Sequence, residues 1–176
     1  IGVDEMQWGK GHRYITVVYQ INQNCKRLLW VGEKRTAKTL LRFFRWLGPE
    51  RSKQLEFICS DMWKAYLKVI VKKASQAIHV LDRFHIVAHI NKAIDQVRAN
   101  ESKELVRQGY DPVLKKSRWL LLKRPEHLSD KQQASLKELL QYNLKAVKSY
   151  LLKEQFQLFW DYSSPYWAGV FLDKWC

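Results

Sequence analysis

The spacing of hydrophobic residues changes once along the chain, near residue 86. Up to that point, runs rich in β-branched and aromatic residues alternate with helical patterns. The runs that read as strands are IGVDEM, HRYITVVYQI, RLLWVGE, QLEFICSD and AIHVLDRF. The first three follow one another directly, which favours an antiparallel meander. The pattern therefore predicts the order β-β-β-α-β-α-β over residues 1–86.

Helical spacing dominates the rest of the chain. Two helices are predicted between the later strands, in TAKTLLRFFRWLG and MWKAYLKVIVKKA, and the first ends at a glycine and a proline. After residue 86 every apolar pattern has helical spacing, beginning with Ile90, Ile94 and Val97. We expect an α/β fold, with a mixed five-stranded sheet and flanking helices over residues 1–86 and an all-helical part over residues 87–176.

The chain is strongly basic. Its 176 residues include 31 lysines and arginines against 17 aspartates and glutamates, which gives a formal net charge of +14. An excess of this size favours a polyanionic partner, most often nucleic acid. An acidic membrane surface, or a basic protein with no such partner, fits the charge as well.

Cysteine spacing and apolar run length argue against several other classes. Cys25, Cys59 and Cys176 are far apart and form no C-x-x-C pair, so neither a zinc site nor a disulfide framework is indicated. No apolar run approaches the roughly 20 residues that span a bilayer, and the first residues lack a signal-peptide pattern. We expect a soluble protein of the reducing cytoplasm, with no membrane partner.

Three aspartates follow apolar strand patterns. Asp4 follows the apolar residues of the first run, Asp61 ends FICSD and Asp82 ends HVLD. In sheets covered by helices, ligands collect beyond strand ends, where residues distant in sequence come together. Converging carboxylates repel each other unless a cation lies between them, and such oxygen ligands suit Mg²⁺ or Mn²⁺. Each aspartate alone could equally be a turn former or a helix N-cap.

An acidic metal site on a basic protein indicates an enzyme that acts on phosphodiesters. Lysines and arginines would hold the phosphate backbone, and two metal ions about 3.5–4 Å apart would activate a water and stabilise the leaving oxygen. Two basic residues lie just past Asp4, although a solvated hairpin explains them equally well, and the stretch KKSRWLLLKR is a second basic patch. The candidate DNA contacts are Lys10, Arg13, Lys115, Lys116, Arg118, Lys123 and Arg124.

Four segments resemble the ISL-three family of bacterial insertion-sequence transposases. They are IGVDEMQWGKGHRYITVV, SDMWKAYLKVI, LDRFHIVAHINKAIDQVR and FWDYSSPYWAGVFLDKW, and the resemblance covers nearly the whole chain. The elements GVDE, SDMW-x-AY and D-x-FH in this order are hard to obtain by chance. The resemblance implies an RNase H-like fold and a DDE transposase that cleaves and transfers DNA strands with Mg²⁺ or Mn²⁺ in a two-metal site.

The resemblance also implies roles for single residues. Asp4 would be the first catalytic acid and Asp61 the second, and both would be metal ligands. Asp82 and His85 fall on an Asp-x-x-His element and would border the site. Residues 1–86 would be a partial catalytic core and residues 87–176 a helical insertion of the same domain. The implied partners are the element ends, the target DNA and further copies of the transposase, at the bacterial nucleoid.

The third catalytic acid of the family has no counterpart in this sequence. It is a glutamate in a stretch resembling E-G-x-N-N, and no such stretch occurs in the 176 residues. Glu101, Glu104, Glu138 and Glu154 lie in amphipathic helical patterns near lysines and are interpreted as solvated helix-face charges. Because the sequence starts with isoleucine and stops within an apolar helical pattern, we expect a fragment that lacks the third acid and the DNA-end-binding region and is inactive alone.

Two other functions fit the same residues. An RNase H-like nuclease would cut DNA without joining it. A decayed transposase would be inactive and would bind DNA through its charge alone. Finding the third acid and an end-binding region in the full gene would favour the transposase over both.

Overall fold

The computed structural model describes residues 1–176, and the five predicted strands form one mixed sheet in the order β3-β2-β1-β4-β5. The strand bounds are β1 Gly2–Gly9, β2 Arg13–Asn22, β3 Cys25–Glu33, β4 Phe57–Ser60 and β5 Ile78–Leu81. The first three strands pair antiparallel, and β4 runs parallel to both β1 and β5. The predicted meander and fold class are therefore confirmed.

Three helices connect the later strands: α1 Ala37–Leu47, α2 Pro49–Lys53 and α3 Lys64–Lys73. Helix α1 begins at Thr36, whose hydroxyl accepts the N–H of Thr39 at 3.1 Å. It ends at Gly48, whose φ of 82° is readily adopted by glycine, and a proline at the first position of α2 then starts a short helix that the sequence did not predict.

The helices bury one face of the sheet. Inward side chains of three strands pack with apolar residues of α1 and α3 in one core: Val3, Val18, Leu40, Phe43, Phe44, Ile58, Tyr66, Val69, Ile70 and Ala74. The alternate strand residues point to the outer face, where Phe57 is 49% and Val80 42% exposed. The alternation of side chains along each strand therefore determines which of them pack against the helices and which lie on the open face of the sheet.

The fifth strand is shorter than its apolar pattern predicts. Strand β5 ends at Leu81, and a helix begins at Arg83. Asp82 lies between them and its Oδ1 accepts the N–H of Phe84 at 2.8 Å. The prediction that AIHVLDRF forms one strand is wrong after Leu81, because the polar residues there start a helix instead of interrupting a strand.

Clustering of the chain gives two compact units, Ile1–Ile86 and Val87–Cys176. The second consists of helices, as expected, and its first helix begins before the boundary. The helices are α4 Arg83–Arg107, α5 Arg118–Leu122, α6 Asp130–Leu139, α7 Lys145–Gln157 and α8 Pro165–Trp175, with 3₁₀ turns at Pro125–His127 and Leu158–Asp161. Its core contains Ile94, Leu114, Leu121, Leu128, Leu136, Leu139, Ala146, Val147 and Tyr150. None of the helices is both long enough and apolar enough to cross a membrane.

Two charged side chains satisfy backbone groups within the second unit. Glu101 accepts the N–H groups of Lys145 and Ala146 at 2.8 and 2.7 Å, at the start of α7. Lys153 is only 4% exposed, donates to the carbonyl of Leu121 at 2.8 Å and pairs with Glu154 at 3.0 Å. The interpretation of Glu101 as a solvated helix-face charge is therefore wrong, because its carboxylate accepts two backbone N–H groups.

Replacing Glu101 by alanine should destabilise the protein by about 1–2 kcal/mol, because two N–H groups at a helix start lose their acceptor and the helix dipole loses its compensating charge. Urea unfolding measures the change. Glu104→Ala on the same helix is the control: its carboxylate pairs with Arg107 on a more exposed surface, and we expect about 0.5 kcal/mol or less. Equal losses for the two variants would contradict the capping role.

Candidate active site

Strand register aligns the three aspartates that the sequence singles out. Gly2 of β1 pairs with Cys59 of β4, and Cys59 pairs with Val80 of β5. Each of these paired residues is followed, two positions later, by an aspartate: Asp4, Asp61 and Asp82. The three parallel strands thus bring these residues to one end of their shared region, as in sheets whose ligands bind beyond strand ends.

Asp4 lies inside its strand and not at the strand end. Strand β1 continues to Gly9, so the expectation that Asp4 closes an apolar strand is wrong. Its neighbour Val3 is buried in the core, which places Asp4 on the outer face because adjacent strand residues alternate. One oxygen, Oδ1, accepts the N–H of Glu5 at 2.7 Å.

Asp61 is held at both carboxylate oxygens. Its Oδ1 accepts the N–H of Trp63 at 3.0 Å, in the turn that leads from β4 into α3. Its Oδ2 accepts a hydrogen bond from Nη2 of Arg35, also at 3.0 Å, and the Asp61 side chain is only 12% exposed. Asp61 therefore has a fixed orientation that a solvated turn residue would lack.

Arg35 joins Asp61 to a fourth acid, Glu5, which the sequence reasoning missed. Nε of Arg35 lies 2.8 Å from Oε1 of Glu5, whose side chain is 10% exposed. The pair is an ionic contact without a well-directed hydrogen bond, since neither atom has a partner at a suitable angle. The guanidinium also lies over the ring of Trp63, 4.8 Å from its centre.

The pKa of Glu5 is raised to about 7. Burial is the largest cause, followed by the negative charge of Asp61; the positive charge of Arg35 opposes both, and Asp4 adds a smaller upward effect. Glu5 therefore exchanges its proton near neutral pH. The only sequence signal for Glu5 was that it directly follows Asp4 in GVDE. Consecutive strand residues face opposite sides of a sheet, so one of the two acids has to face the helices.

Asp82 and His85 lie close together at the start of α4. Oδ2 of Asp82 is 3.9 Å from Nε2 of His85, and Oδ1 caps the helix. Burial raises the pKa of the Cys59 thiol, and the charges of Asp82 and Asp4 raise it further, so both aspartates are near the outer face of β4. Asp61 instead turns towards Glu5.

The carboxylates do not form a preorganised metal-binding site. No group of three or more histidine, cysteine, aspartate or glutamate side chains is close enough to hold a metal ion. The donor chemistry nevertheless suits a hard divalent cation, because Glu5 and Asp61 on the helix side of the sheet and Asp4 on its outer face offer carboxylate oxygens, and Oε1 of Glu5 lacks a well-directed hydrogen bond. Arg35 supplies the positive charge beside Glu5 and Asp61 in this structure.

The basic residues proposed as DNA contacts have different surroundings. Lys10 and Arg13 are exposed, and Arg13 lies 5.6 Å from the ring centre of Trp8. In the second unit, Arg118 pairs with Asp95 at 3.1 Å and Arg124 with Glu126 at 3.6 Å. The three lysines among the proposed contacts of the second unit are exposed and form no ion pair: Lys115, Lys116 and Lys123.

Comparison with known proteins identifies the family. A family model of the ISL-three (ISL3) type, described as transposase, matches residues 1–176. The chain belongs to this transposase family. The transposase for insertion sequence element IS1001 of Bordetella parapertussis is 35% identical over 178 residues, which cover 99% of this chain and 43% of the relative.

A second relative gives the same picture. The transposase for insertion sequence element IS1557 of Mycobacterium tuberculosis is 30% identical over 176 residues, which cover 88% of this chain and 39% of the relative. The chain thus spans about two fifths of the length of these two relatives. No solved structure gives a significant match.

The raised pKa of Glu5 should appear in the pH dependence of stability. Between the ordinary value of 4.5 and about 7, the unfolded chain has lost the proton that the folded protein keeps, so the free energy of unfolding falls as pH rises through this window and is then level. The fall is on the order of 3 kcal/mol. Urea unfolding from pH 4.5 to 8 in EDTA measures it.

Glu5→Gln should remove this fall, because glutamine does not titrate. Glu33→Gln, which changes an exposed carboxylate of β3, should retain it. An equally steep fall in the Glu5→Gln protein would assign the pH dependence to another group.

Proposed function

We propose that this chain contributes part of the catalytic site of a DNA transposase, which cuts DNA at the ends of an insertion element and joins those ends to a target. The observation that carries the proposal is the common register of Asp4, Asp61 and Asp82 on three neighbouring parallel strands, in a chain of the transposase family. The net charge of +14 supports DNA as the substrate.

Asp4 and Asp61 are the proposed ligands of Mg²⁺ or Mn²⁺. Bound metal would supply a water activated for attack and would stabilise the leaving oxygen. Arg35 holds the Asp61 carboxylate in a fixed orientation and offsets the repulsion between Asp61 and Glu5. Asp82 and His85 border the site, where the imidazole can donate a hydrogen bond to a phosphate oxygen.

The reaction consists of two displacements at phosphorus. In cleavage, the oxygen of water bonds to phosphorus and the bond to the 3′ oxygen breaks, which leaves a 3′-hydroxyl on the element end. In joining, that hydroxyl attacks a target phosphodiester, and the target's own 3′ oxygen leaves. Both displacements use the same carboxylates, so a variant that loses one activity should lose the other.

The third acidic ligand is proposed to lie outside residues 1–176. Glu101 and Glu154 are engaged in the second unit, and the relatives are more than twice as long as this chain. Residues 1–86 would then be a partial catalytic core and residues 87–176 a helical insertion of the same domain. Several copies of the transposase would assemble on the two element ends, at the nucleoid in the bacterial cytoplasm.

Metal binding tests the proposed ligands directly. We expect the protein to bind Mn²⁺ weakly, because few carboxylates are available, and Asp61→Asn to lose most of the heat in isothermal titration. Asp173→Asn changes an exposed carboxylate of α8 and should leave the heat unchanged. Equal heats from the wild type and Asp61→Asn would exclude Asp61 as a ligand.

Cleavage and joining test the reaction. Residues 1–176 should neither nick nor join a labelled element-end duplex in Mn²⁺, whereas a transposase extended to the length of its relatives should do both. Asp4→Asn and Asp61→Asn in the extended protein should lower both rates by about 10²-fold or more. Nicking by residues 1–176 that disappears in Asp82→Asn would make Asp82 the third acid, and cutting without joining by the extended protein would identify a nuclease.

A further inference from the structure

A groove of about 690 Å³ runs between α1 and α3 in the first unit. Its apolar floor includes Leu41, Trp63 and Val69, and no aspartate or glutamate lines it. Five cationic side chains line it instead: Arg45, Lys64, Lys68, Lys72 and Lys73. All five are exposed and none forms an ion pair, so their charges are uncompensated within the protein.

Three of the lysines form a stripe along α3. Lys64, Lys68 and Lys72 are four residues apart, so they lie on one face of the helix at intervals of about 6 Å. Like charges at this spacing destabilise a helix. No acidic side chain lines the groove to offset that cost.

The position of Lys64 is the most informative, because it is the first residue of α3. That helix has no acidic residue in its first turn, and Trp63 provides no side-chain cap. The positive end of the helix dipole opposes a cation at this point, whereas Lys72 and Lys73 at the other end are favoured by the dipole. Helix stability therefore explains the last two lysines and leaves Lys64 unexplained.

The groove begins beside the candidate active site. Trp63 lines the groove, and its ring faces the guanidinium of Arg35, which holds Asp61. Asp61 in turn accepts the N–H of Trp63. A polyanion that lies along the stripe would therefore be guided towards the carboxylate of Asp61.

We propose that the groove between α1 and α3 binds the sugar–phosphate backbone of the DNA strand that reaches Asp61. The inference rests on the proposed function, which supplies DNA as the partner. The cations line a concave groove, which a narrow phosphate backbone can enter and a flat membrane surface cannot. Because lysines contact phosphates as point charges, the groove positions DNA and does not read its sequence.

Salt dependence of DNA binding tests the proposal. The triple variant Lys64→Ala, Lys68→Ala, Lys72→Ala should lower the slope of log K against log salt concentration by up to about 2.7, one counterion term of 0.9 for each lost phosphate contact. The matched control is Lys103→Ala, Lys137→Ala, Lys148→Ala, which removes the same charge from three exposed helical lysines of the second unit. Its slope should change by less than about 1.

The proposal requires that the salt-dependence slope falls more in the α3 triple variant than in the control triple variant. Equal slopes in both, or a larger loss in the control, would overturn it. Urea unfolding of both variants establishes that they fold, and alanine favours the helical state at all six positions. The slopes are measured in EDTA, where no catalysis takes place, so a failure of the catalytic proposal is distinguishable from a failure of this one.

Chemical acetylation followed by mass spectrometry provides a second readout on the wild-type protein. A 30-base-pair duplex should protect Lys64, Lys68 and Lys72 several-fold more than Lys103 and Lys148. Vesicles with anionic lipid should give no such protection. Protection by the vesicles and not by the duplex would assign the groove to a membrane surface and overturn the proposal, as would equal protection of all the lysines by DNA.

Discussion

The contact of one guanidinium with two carboxylates determines the geometry around the candidate site. Arg35 lies 2.8 Å from Glu5 on β1 and 3.0 Å from Asp61 at the end of β4. Two acids brought together by strand pairing would repel each other, and the arginine offsets that repulsion. The same guanidinium covers the ring of Trp63, so it also fixes the turn from which α3 and its lysine stripe start.

Alternation along β1 divides the acids between two environments. Glu5 faces the helices with Arg35, and Asp4 faces the open side of the sheet, where Cys59 and Asp82 are also near. Because burial raises the pKa of the Glu5 carboxylate to about 7, the protein is less stable at neutral pH than it is near pH 4.5. Perturbed acids of this kind are enriched at functional sites, and Glu5 lies next to a proposed ligand.

Local patterns predicted the fold and long-range contacts determined the site. The strands and the buried face of α3, with Tyr66, Val69 and Ile70, follow from hydrophobic spacing alone. The end of β5 could not be predicted, because Asp82 and the residues after it fit a strand end and a helix start equally well. The partners of Arg35 lie 30 and 26 residues away in sequence, and no spacing rule connects a loop arginine to them.

The arginine contact has opposite consequences for a metal ion at Asp61. It orders the carboxylate before any ion arrives, so binding would not have to immobilise that side chain. It also places a positive charge against Oδ2, and two cations sharing one carboxylate repel each other. A metal at Asp61 must therefore coordinate beside Arg35 or displace it. Displacement would free the guanidinium next to Trp63, at the mouth of a groove whose other cations already lack counter-charges.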